Sequence, residues 1–340
     1  MPRTTAWEKC SNQELLEWRI CDLGLDLVGT PLEAPIDRLY RELEARNLRV
    51  KPHCWLSEEW FSPDGIPGIA IPFYLAHPRL KRLEREQILE VEGGTNAECL
   101  RLLRHEAGHA IQHAFRLHRR KRWRELFGSS TEPYPDYYRP NPGSRRYVVH
   151  LPHWYAQSHP DEDFAETFAV WLTPGSRWRR KYIGWHALHK LRYVDQLMHE
   201  IAGQSPPVRS RARPDPVHRI KTTLGDHYRA KRERYRVLAS RAYDGDLLRL
   251  FTPIEESTSR SPAAASFLRK HRAEIRRLVA RSTGKHELAL DTVLGEMIAR
   301  SRELKLRAVG KQADLVTSFA ILLAARSAEF VYRGRDWHAL

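Results

Sequence analysis

Two histidines and a glutamate within residues 105–109 have the types and spacing of a metal-binding catalytic motif. His105 and His109 lie four positions apart, and Glu106 follows the first of them, in the pattern HExxH. Residues i and i+4 share one face of an α-helix, so the two imidazoles can hold one metal ion together. Glu106 lies beside them, where it can take a proton from a metal-bound water. The motif predicts metal-assisted hydrolysis.

The motif lies inside a predicted helix. Thr95 and Glu98 form a capping box, and two glycines break the chain just before it. Apolar residues recur at roughly helical spacing from there to about residue 118, with no proline between them. The two histidines are therefore expected in the middle of a helix, on a buried face. The alternative is two core histidines beside a chance glutamate, and the fit to a zinc-binding helix argues against it.

A catalytic zinc site needs a third protein ligand. Metzincins use a histidine six residues after the second one, but Gln112 and Phe115 occupy the diagnostic positions here and exclude this class. Residues 161–172 form a predicted helix between two prolines. Its Glu162 and Glu166 share one face, so one carboxylate can bind zinc while the other hydrogen-bonds a zinc histidine. Solvated acids on an amphipathic helix are the alternative, which the aromatic residues of this segment disfavour.

The segments HEAGHA and EDFAETFA together resemble a gluzincin, and in particular the bacterial family described as putative zinc-binding metallopeptidases. The site is also similar to that of the peptidase domain of anthrax lethal factor. The resemblance covers about residues 20–200, and its specific part is confined to the two helices and the approach to the second. It implies a zincin-like α+β domain with Zn²⁺ as the cofactor. Transferred by position, it makes Glu162 the third zinc ligand and Glu166 a residue that orients a ligand.

The same resemblance implies that a tyrosine seven residues before the third ligand faces the site, and Tyr155 occupies that position. Asp163 replaces an aromatic residue of the pattern, and the link between Tyr155 and Glu162 differs almost throughout. His153 and His159 are rivals for the same role. A packed aromatic side chain is the alternative for Tyr155.

These residues predict a zinc-dependent metallopeptidase. Glu106 would act as general base toward a zinc-activated water and then pass the proton to the leaving amine. Tyr155 would donate a hydrogen bond to the developing oxyanion. The alternative is a polyanion- or protein-binding protein with a structural or vestigial zinc site. An intact HExxH motif with an available glutamate argues against it, since structural zinc sites usually close with a fourth ligand.

The chain has 340 residues, of which 41% are hydrophobic, so it can bury a sizeable core. No apolar run approaches the roughly 18 residues of a membrane-spanning helix. The first residues contain no apolar secretory core, and the four cysteines show no CxxC pair. We therefore expect no membrane span, reduced thiols and a cytoplasmic protein.

Charge divides the chain unevenly. Residues 1–204 contain 29 basic and 27 acidic residues, whereas residues 205–340 contain 28 and 15, a net charge of +13. The changeover at 203–216 is rich in proline, which suits a linker. We predict a metallopeptidase domain over 1–204 and a basic, all-helical region over 205–340. Apolar spacing in the second region predicts these helices: His218–Ala242, Ala263–Ser282, Glu287–Leu306 and Gln312–Tyr332.

Several predicted helices carry clustered arginine and lysine, as at 269–272, 276–277 and 119–124. Such clusters could contact nucleic acid or another polyanion. A solvated helical face is the alternative, and no base-reading motif is present.

The part before the HExxH motif is predicted to be mixed α/β. It contains a helix over Ala34–Asn47 and strands over Ile69–Leu75 and Gln87–Glu92. An internal proline places the strand Ile69–Leu75 at a sheet edge, where the zincin resemblance implies that it aligns an extended substrate. The aromatic, proline-rich loop Pro133–Gly143 could line the cleft, and a structured loop without such a role is the alternative.

Overall fold

Helices and two small sheets build an α+β fold. The computed structural model describes residues 6–135, 138, 141, 143–234, 243–256 and 261–332. Contacts between Cα atoms divide the chain into two units. The first unit comprises the residues up to Gln87 and Val91–Tyr228, and the second comprises Ile88–Glu90 and the residues from Arg229 onward.

Helices make up most of the regular structure of the first unit. They are α1 (Asn12–Leu16), α2 (Glu33–Glu44), α3 (Pro78–Ile88), α4 (Asn96–Phe115), α5 (Lys121–Phe127), α6 (Pro160–Leu172), α7 (Trp178–Lys181), α8 (Ala187–Ile201) and α9 (Leu224–Arg234). Two of them, α3 and α9, extend past the boundaries of the unit. A 3₁₀ helix over Pro152–Gln157 precedes α6.

Helix α4 begins where the capping box predicted. The Thr95 hydroxyl accepts a hydrogen bond from the Glu98 amide at 3.2 Å, and the Glu98 carboxylate accepts one from the Thr95 amide at 3.0 Å. The helix ends at Phe115 and is capped by Arg116, whose φ of 52° is left-handed. All residues from His105 to Ala114 are buried. The HExxH motif therefore lies in the middle of a helix on a buried face, as predicted.

Helices α4 and α6 pack closely against each other. A Cβ atom placed on Gly108 would lie 2.7 Å from the Cα of Ala165, so only glycine fits at this position without a backbone shift. The residues of α6 from Asp161 to Leu172 are all buried. This contact brings the HExxH face of α4 against the face of α6 that carries two glutamates.

The first sheet differs from the prediction. Strands β1 (His53–Ser57) and β2 (Gly68–Pro72) are parallel, and the other edge of β2 pairs with Phe61 through a hydrogen bond of 2.8 Å from Ala70 N to Phe61 O. The predicted edge strand over Ile69–Leu75 is thus a short strand paired on both sides, followed by a 3₁₀ turn over Phe73–Ala76. The chain at Phe61 covers the second edge of β2 at Ala70, and the substrate-aligning role expected of this strand stays a prediction.

Two other predicted elements of this region change. The strand expected over Gln87–Glu92 is not formed, because Gln87 and Ile88 end helix α3 and the following residues turn. The helix expected over Ala34–Asn47 is present as α2, which ends at Glu44.

The segment 205–228 belongs with the first unit, so the division lies at residue 228 instead of the predicted 204. Side chains of β1 hold this segment: His53 Nε2 lies 2.8 Å from Ala212 O, and Trp55 Nε1 donates to Pro214 O at 2.9 Å. Backbone bonds add to them, as from Ile20 N to a carbonyl of the same segment at 3.0 Å. The proline-rich segment is therefore bound along strand β1, although its composition is typical of a linker.

The second unit is built on helices around one apolar core. Its elements are α10 (Asp244–Leu250), β3 (Thr252–Pro253), α11 (Ala264–Thr283), α12 (Glu287–Glu303), β4 (Leu306–Arg307) and α13 (Gln312–Tyr332). Leu268, Leu294 and Phe319 are fully buried in this core. The helix predicted over His218–Ala242 starts later, at Leu224, and its last eight positions lie outside the described residues. Among the described helices, none is long and apolar enough to cross a bilayer.

Candidate metal centre

Three buried side chains from α4 and α6 point at one another. His105 Nε2 lies 2.9 Å from Glu162 Oε2, His109 Nε2 lies 3.2 Å from the same oxygen, and the two Nε2 atoms are 3.2 Å apart. The candidate ligand atoms of the three residues all lie within 4.8 Å of one another. No more than 7% of any of the three residues is exposed. The structure thus brings together the three residues for which the sequence predicted a metal.

Glu166 faces the opposite side of the His105 ring. Its Oε1 accepts a hydrogen bond from His105 Nδ1 at 2.9 Å. Its Oε2 accepts bonds from the backbone amides of Leu151 at 2.8 Å and His150 at 3.2 Å. Both oxygens are therefore used, and Nδ1 of His105 must carry the hydrogen. The contact at Nδ1 directs Nε2 of His105 toward Glu162. A carboxylate bound to the second ring nitrogen is the orienting contact that metal-binding histidines usually have.

Glu162 and the two histidines stabilise one another's charged forms. Burial alone would raise the pKa of Glu162, but His109 and His105 outweigh burial and hold that pKa well below its usual range. Burial alone would lower the pKa of His105, but its bonds to Glu162 and Glu166 hold that pKa well above its usual range. The carboxylate is thus charged and attracts a positive charge to its histidine neighbours. Two imidazole nitrogens and one carboxylate oxygen also match the donors of a catalytic zinc site.

Glu106 is buried next to this group without using all of its hydrogen-bonding capacity. The residue is 6% exposed, and its Oε2 has no hydrogen-bond partner among the described residues. Burial raises the pKa of its carboxyl group. A buried polar atom without a partner is costly, so it suggests that a water or another group binds there. The three ligand residues and this carboxylate fit a zinc ion with an open position.

Tyr155 lies beside the centre. Its ring centroid is 5.5 Å from that of His105, and its hydroxyl makes no hydrogen bond to a described residue. Burial raises the pKa of this phenol well above its usual range, so it remains a hydrogen donor. The preceding residue, Trp154, has φ of 54°, a conformation that a tryptophan rarely adopts and that marks local strain. Tyr155 thus lies beside the His105 ring, and its role as an oxyanion donor stays a prediction.

The two rival histidines have different outcomes. His159 caps α6 by accepting a hydrogen bond from Asp161 N at 3.2 Å, and its Nε2 donates to Glu132 O at 2.9 Å. Both ring nitrogens are occupied, so His159 has no hydrogen left for a substrate. The side chain of His153 lies outside the part of the chain that the structure describes.

Tyr134 is a site residue that the sequence analysis did not single out. Its hydroxyl donates to Glu162 Oε1 at 2.9 Å, and its ring stacks on His159 with centroids 3.8 Å apart. Its only signal was membership of the aromatic loop Pro133–Gly143, which was expected to line the cleft. Several residues of that loop, at 136, 137, 139, 140 and 142, lie outside the described residues. Tyr134 and Glu162 are 28 positions apart, so no local sequence pattern could predict their hydrogen bond.

Comparison with protein families agrees with the site. Residues 84–175 match the model of a family described as putative zinc-binding metallo-peptidase. The matched span contains α4, α6 and the chain between them. Neither the curated proteins nor the solved structures give a match. The resemblance to this family is confirmed over the matched span, zinc is the metal that it indicates, and the likeness to lethal factor stays a prediction.

Proposed function

We propose that this protein is a zinc-dependent peptidase of the HExxH type, in which His105, His109 and Glu162 hold the metal. The observation that supports this most is the arrangement of three buried ligand atoms within 4.8 Å beside a buried carboxylate with an unpartnered oxygen. A structural zinc site would usually add a fourth protein ligand. Among the described residues, no fourth histidine, cysteine or acid joins this group.

A bound zinc ion supplies Lewis-acid chemistry, polarising a carbonyl group and lowering the pKa of a water to about 7. The chain supplies the proton transfer. Glu106 would accept the proton of the attacking water and then deliver it to the leaving amine. Burial raises the pKa of this carboxyl group, which makes it a stronger base toward the water proton than an exposed glutamate.

Two further side chains complete the proposed reaction. Tyr155 would donate a hydrogen bond to the oxygen of the peptide carbonyl as negative charge develops on it. Glu166 would hold the His105 ring in one tautomer and one orientation, because both of its oxygens are fixed by hydrogen bonds. A peptide or protein is therefore the substrate class, and the third ligand from a later helix makes the site gluzincin-like.

The substitution Glu106→Gln tests the proposal. The amide keeps the shape of the side chain but cannot accept the water proton, so turnover of a peptide library should fall by about 10²–10⁴-fold while zinc content stays that of the parent. Metal analysis and cleavage rates on the same preparations measure both. Glu125→Gln, at an exposed position of α5, is the matched control and should cleave at the parental rate. Equal turnover in Glu106→Gln and parent would remove Glu106 from the mechanism, and a parent that binds no zinc would remove the proposal itself.

One observation also favours a polyanion contact in the second unit. The outer face of α11 exposes Arg269, Lys270, Arg277 and Arg281. These side chains could neutralise phosphates, and such binding weakens steeply with salt. Titrating the full-length protein with a labelled DNA duplex at two salt concentrations tests it, with Arg277→Ser/Arg281→Ser as the variant. If the double substitution leaves DNA binding unchanged, the basic face of α11 is a solvated surface and not a polyanion-binding site.

A further inference from the structure

We propose that Tyr134 is a positioning residue that makes Glu162 a one-oxygen metal ligand. The inference rests on the proposed zinc peptidase and adds a residue outside its set of ligands. Glu162 uses its two oxygens differently: Oε2 lies 2.9 Å from His105 Nε2, whereas Oε1 accepts the Tyr134 hydroxyl at 2.9 Å. A carboxylate with both oxygens available can bind a metal through both. The bond from Tyr134 occupies one lone pair of Oε1 and holds that oxygen toward the phenol, so it favours Oε2 as the metal ligand and helps to keep a coordination position open for water or substrate.

The Tyr134 ring is held in place by the residue that precedes α6. Its plane is tilted by only 15° from that of the His159 imidazole, with centroids 3.8 Å apart. The same imidazole donates to the backbone carbonyl of Glu132 at 2.9 Å. The chain two residues before Tyr134 is therefore tied to His159 as well. His159 lies three positions before Glu162 and caps α6. The start of this helix therefore positions both Tyr134 and the ligand Glu162.

A second set of bonds ties the same loop to both site helices. Ser130 Oγ donates to Asp161 Oδ2 at 2.9 Å, and Asp161 Oδ1 accepts from Gln112 Nε2 of α4 at 2.8 Å. Asp161 is the direct neighbour of Glu162 in sequence. The loop before Tyr134 is thus fixed to α6 and, through Asp161, to α4. Such pre-organisation reduces the entropy lost when the Tyr134 hydroxyl fixes the carboxylate.

The exposure of the two partners matches a positioning role. Tyr134 is 49% exposed, whereas Glu162 is 5% exposed. The tyrosine adds a polar contact to the buried carboxylate from the solvent side, where the pair of histidines cannot reach. Removing one hydroxyl from a half-exposed ring should not impair folding, so its effect on the metal can be measured directly.

The test compares Tyr134→Phe with Tyr155→Phe in the full-length protein. Both variants lose one phenolic hydroxyl beside the metal centre, but only Tyr134 bonds to Glu162. Cobalt(II) substitution reports the coordination number, since an added oxygen ligand weakens the visible absorption of a four-coordinate ion. We expect weaker absorption for Tyr134→Phe, a parental spectrum for Tyr155→Phe, and a zinc affinity about 10-fold lower for Tyr134→Phe in a chelator competition.

The cobalt spectrum decides the proposal. A parental spectrum for Tyr134→Phe overturns it, and if KM then rises alone, Tyr134 is a substrate contact. A parent that binds neither zinc nor cobalt refutes the proposed function instead, so the two failures are distinguishable.

Discussion

At the residue scale, Glu162 and Glu166 differ in the atoms that face them, although they lie one turn apart on the same buried helix. Glu162 meets two imidazole Nε2 atoms and a phenol hydroxyl, and one of its oxygens points into the group of ligand atoms. Glu166 meets the Nδ1 atom of His105 and two backbone amides, which use both of its oxygens. Their proposed roles, ligand and orienting residue, follow from these neighbours.

Glu166→Gln should weaken zinc binding by about 10–100-fold. The glutamine amide has one accepting oxygen, whereas Glu166 accepts from His105 on one oxygen and from Leu151 and His150 on the other. Either the His105 ring or the backbone amides must lose an acceptor. A chelator competition measures the affinity, with Glu125→Gln as the control. Parental affinity would show that the orientation of His105 does not depend on this carboxylate.

Tyr155→Phe should lower kcat by about 10-fold or more, with little change in zinc content. The hydroxyl has no partner among the described residues, and the proposed partner exists only once the carbonyl oxygen gains charge. Steady-state kinetics with one cleaved peptide separates kcat from KM. Tyr147→Phe is the control, because the ring of Tyr147 contacts the Lys190 ammonium instead of a metal-site histidine. A rise in KM alone would identify Tyr155 as a substrate contact.

At the element scale, the site depends on the close packing of α4 and α6. The first supplies His105 and His109, and the second supplies Glu162, so the ligand group forms only at their interface. Gly108 permits the approach, because any Cβ there would meet the backbone of Ala165. Aromatic side chains on the other side of α6 hold it in place, as where the rings of Trp123 and Phe164 lie 5.8 Å apart.

Gly108→Ala should therefore destabilise the protein by about 1–3 kcal/mol and weaken zinc binding, even though alanine favours helix. The added methyl group would force α6 away from α4 and Glu162 away from the histidines. Thermal unfolding and zinc affinity measure the two effects. Gly245→Ala is the matched control, since Gly245 lies in helix α10 and nothing approaches its Cβ position within 4 Å. A Gly108 variant with parental stability and affinity would show that the helices can separate without harm to the site.

At the scale of the whole molecule, the net charge of +13 over residues 205–340 does not coincide with one structural unit. Apart from Ile88–Glu90, residues up to Tyr228 cluster with the first unit, and those from Arg229 onward cluster with the second. Side chains of strand β1 bind the carbonyl oxygens of the proline-rich segment, as between Ser57 Oγ and Asp215 O at 2.7 Å. The change in composition thus lies at residue 204, whereas the boundary between the structural units lies at residue 228.

Fragments ending at residues 228 and 204 distinguish the two boundaries. The fragment 1–228 should bind zinc and cleave a short unstructured peptide, because it contains every proposed site residue and the segment bound to β1. The fragment 1–204 lacks that segment and should unfold at a lower temperature. Zinc stoichiometry, cleavage rate and thermal midpoint of both fragments give the comparison. Equal midpoints would show that residues 205–228 contribute nothing to the first unit, and failure of both to bind zinc would show that the second unit is required.

The sequence by itself predicted the metal-binding motif and determined the local structure around it. HExxH spacing requires only a helix, and the capping box of Thr95 and Glu98 starts that helix where it was predicted. Prolines and acidic residues likewise predicted α6, which begins at Pro160. These features depend on neighbours three or four residues away, so they can be read without knowledge of the fold. The helices of the second unit at 264–283 and 312–332 were predicted for the same reason.

Only the tertiary structure decided which atoms meet across the chain. It showed that Glu162 faces the histidine pair and Glu166 faces Nδ1, and it added Tyr134 from a loop 28 positions earlier than its partner. It also showed that strand β2 is paired on both edges, because the chain at Phe61 returns to it. Each of these facts depends on contacts between residues distant in sequence. Such contacts are set by the packing of whole elements, which no local pattern contains.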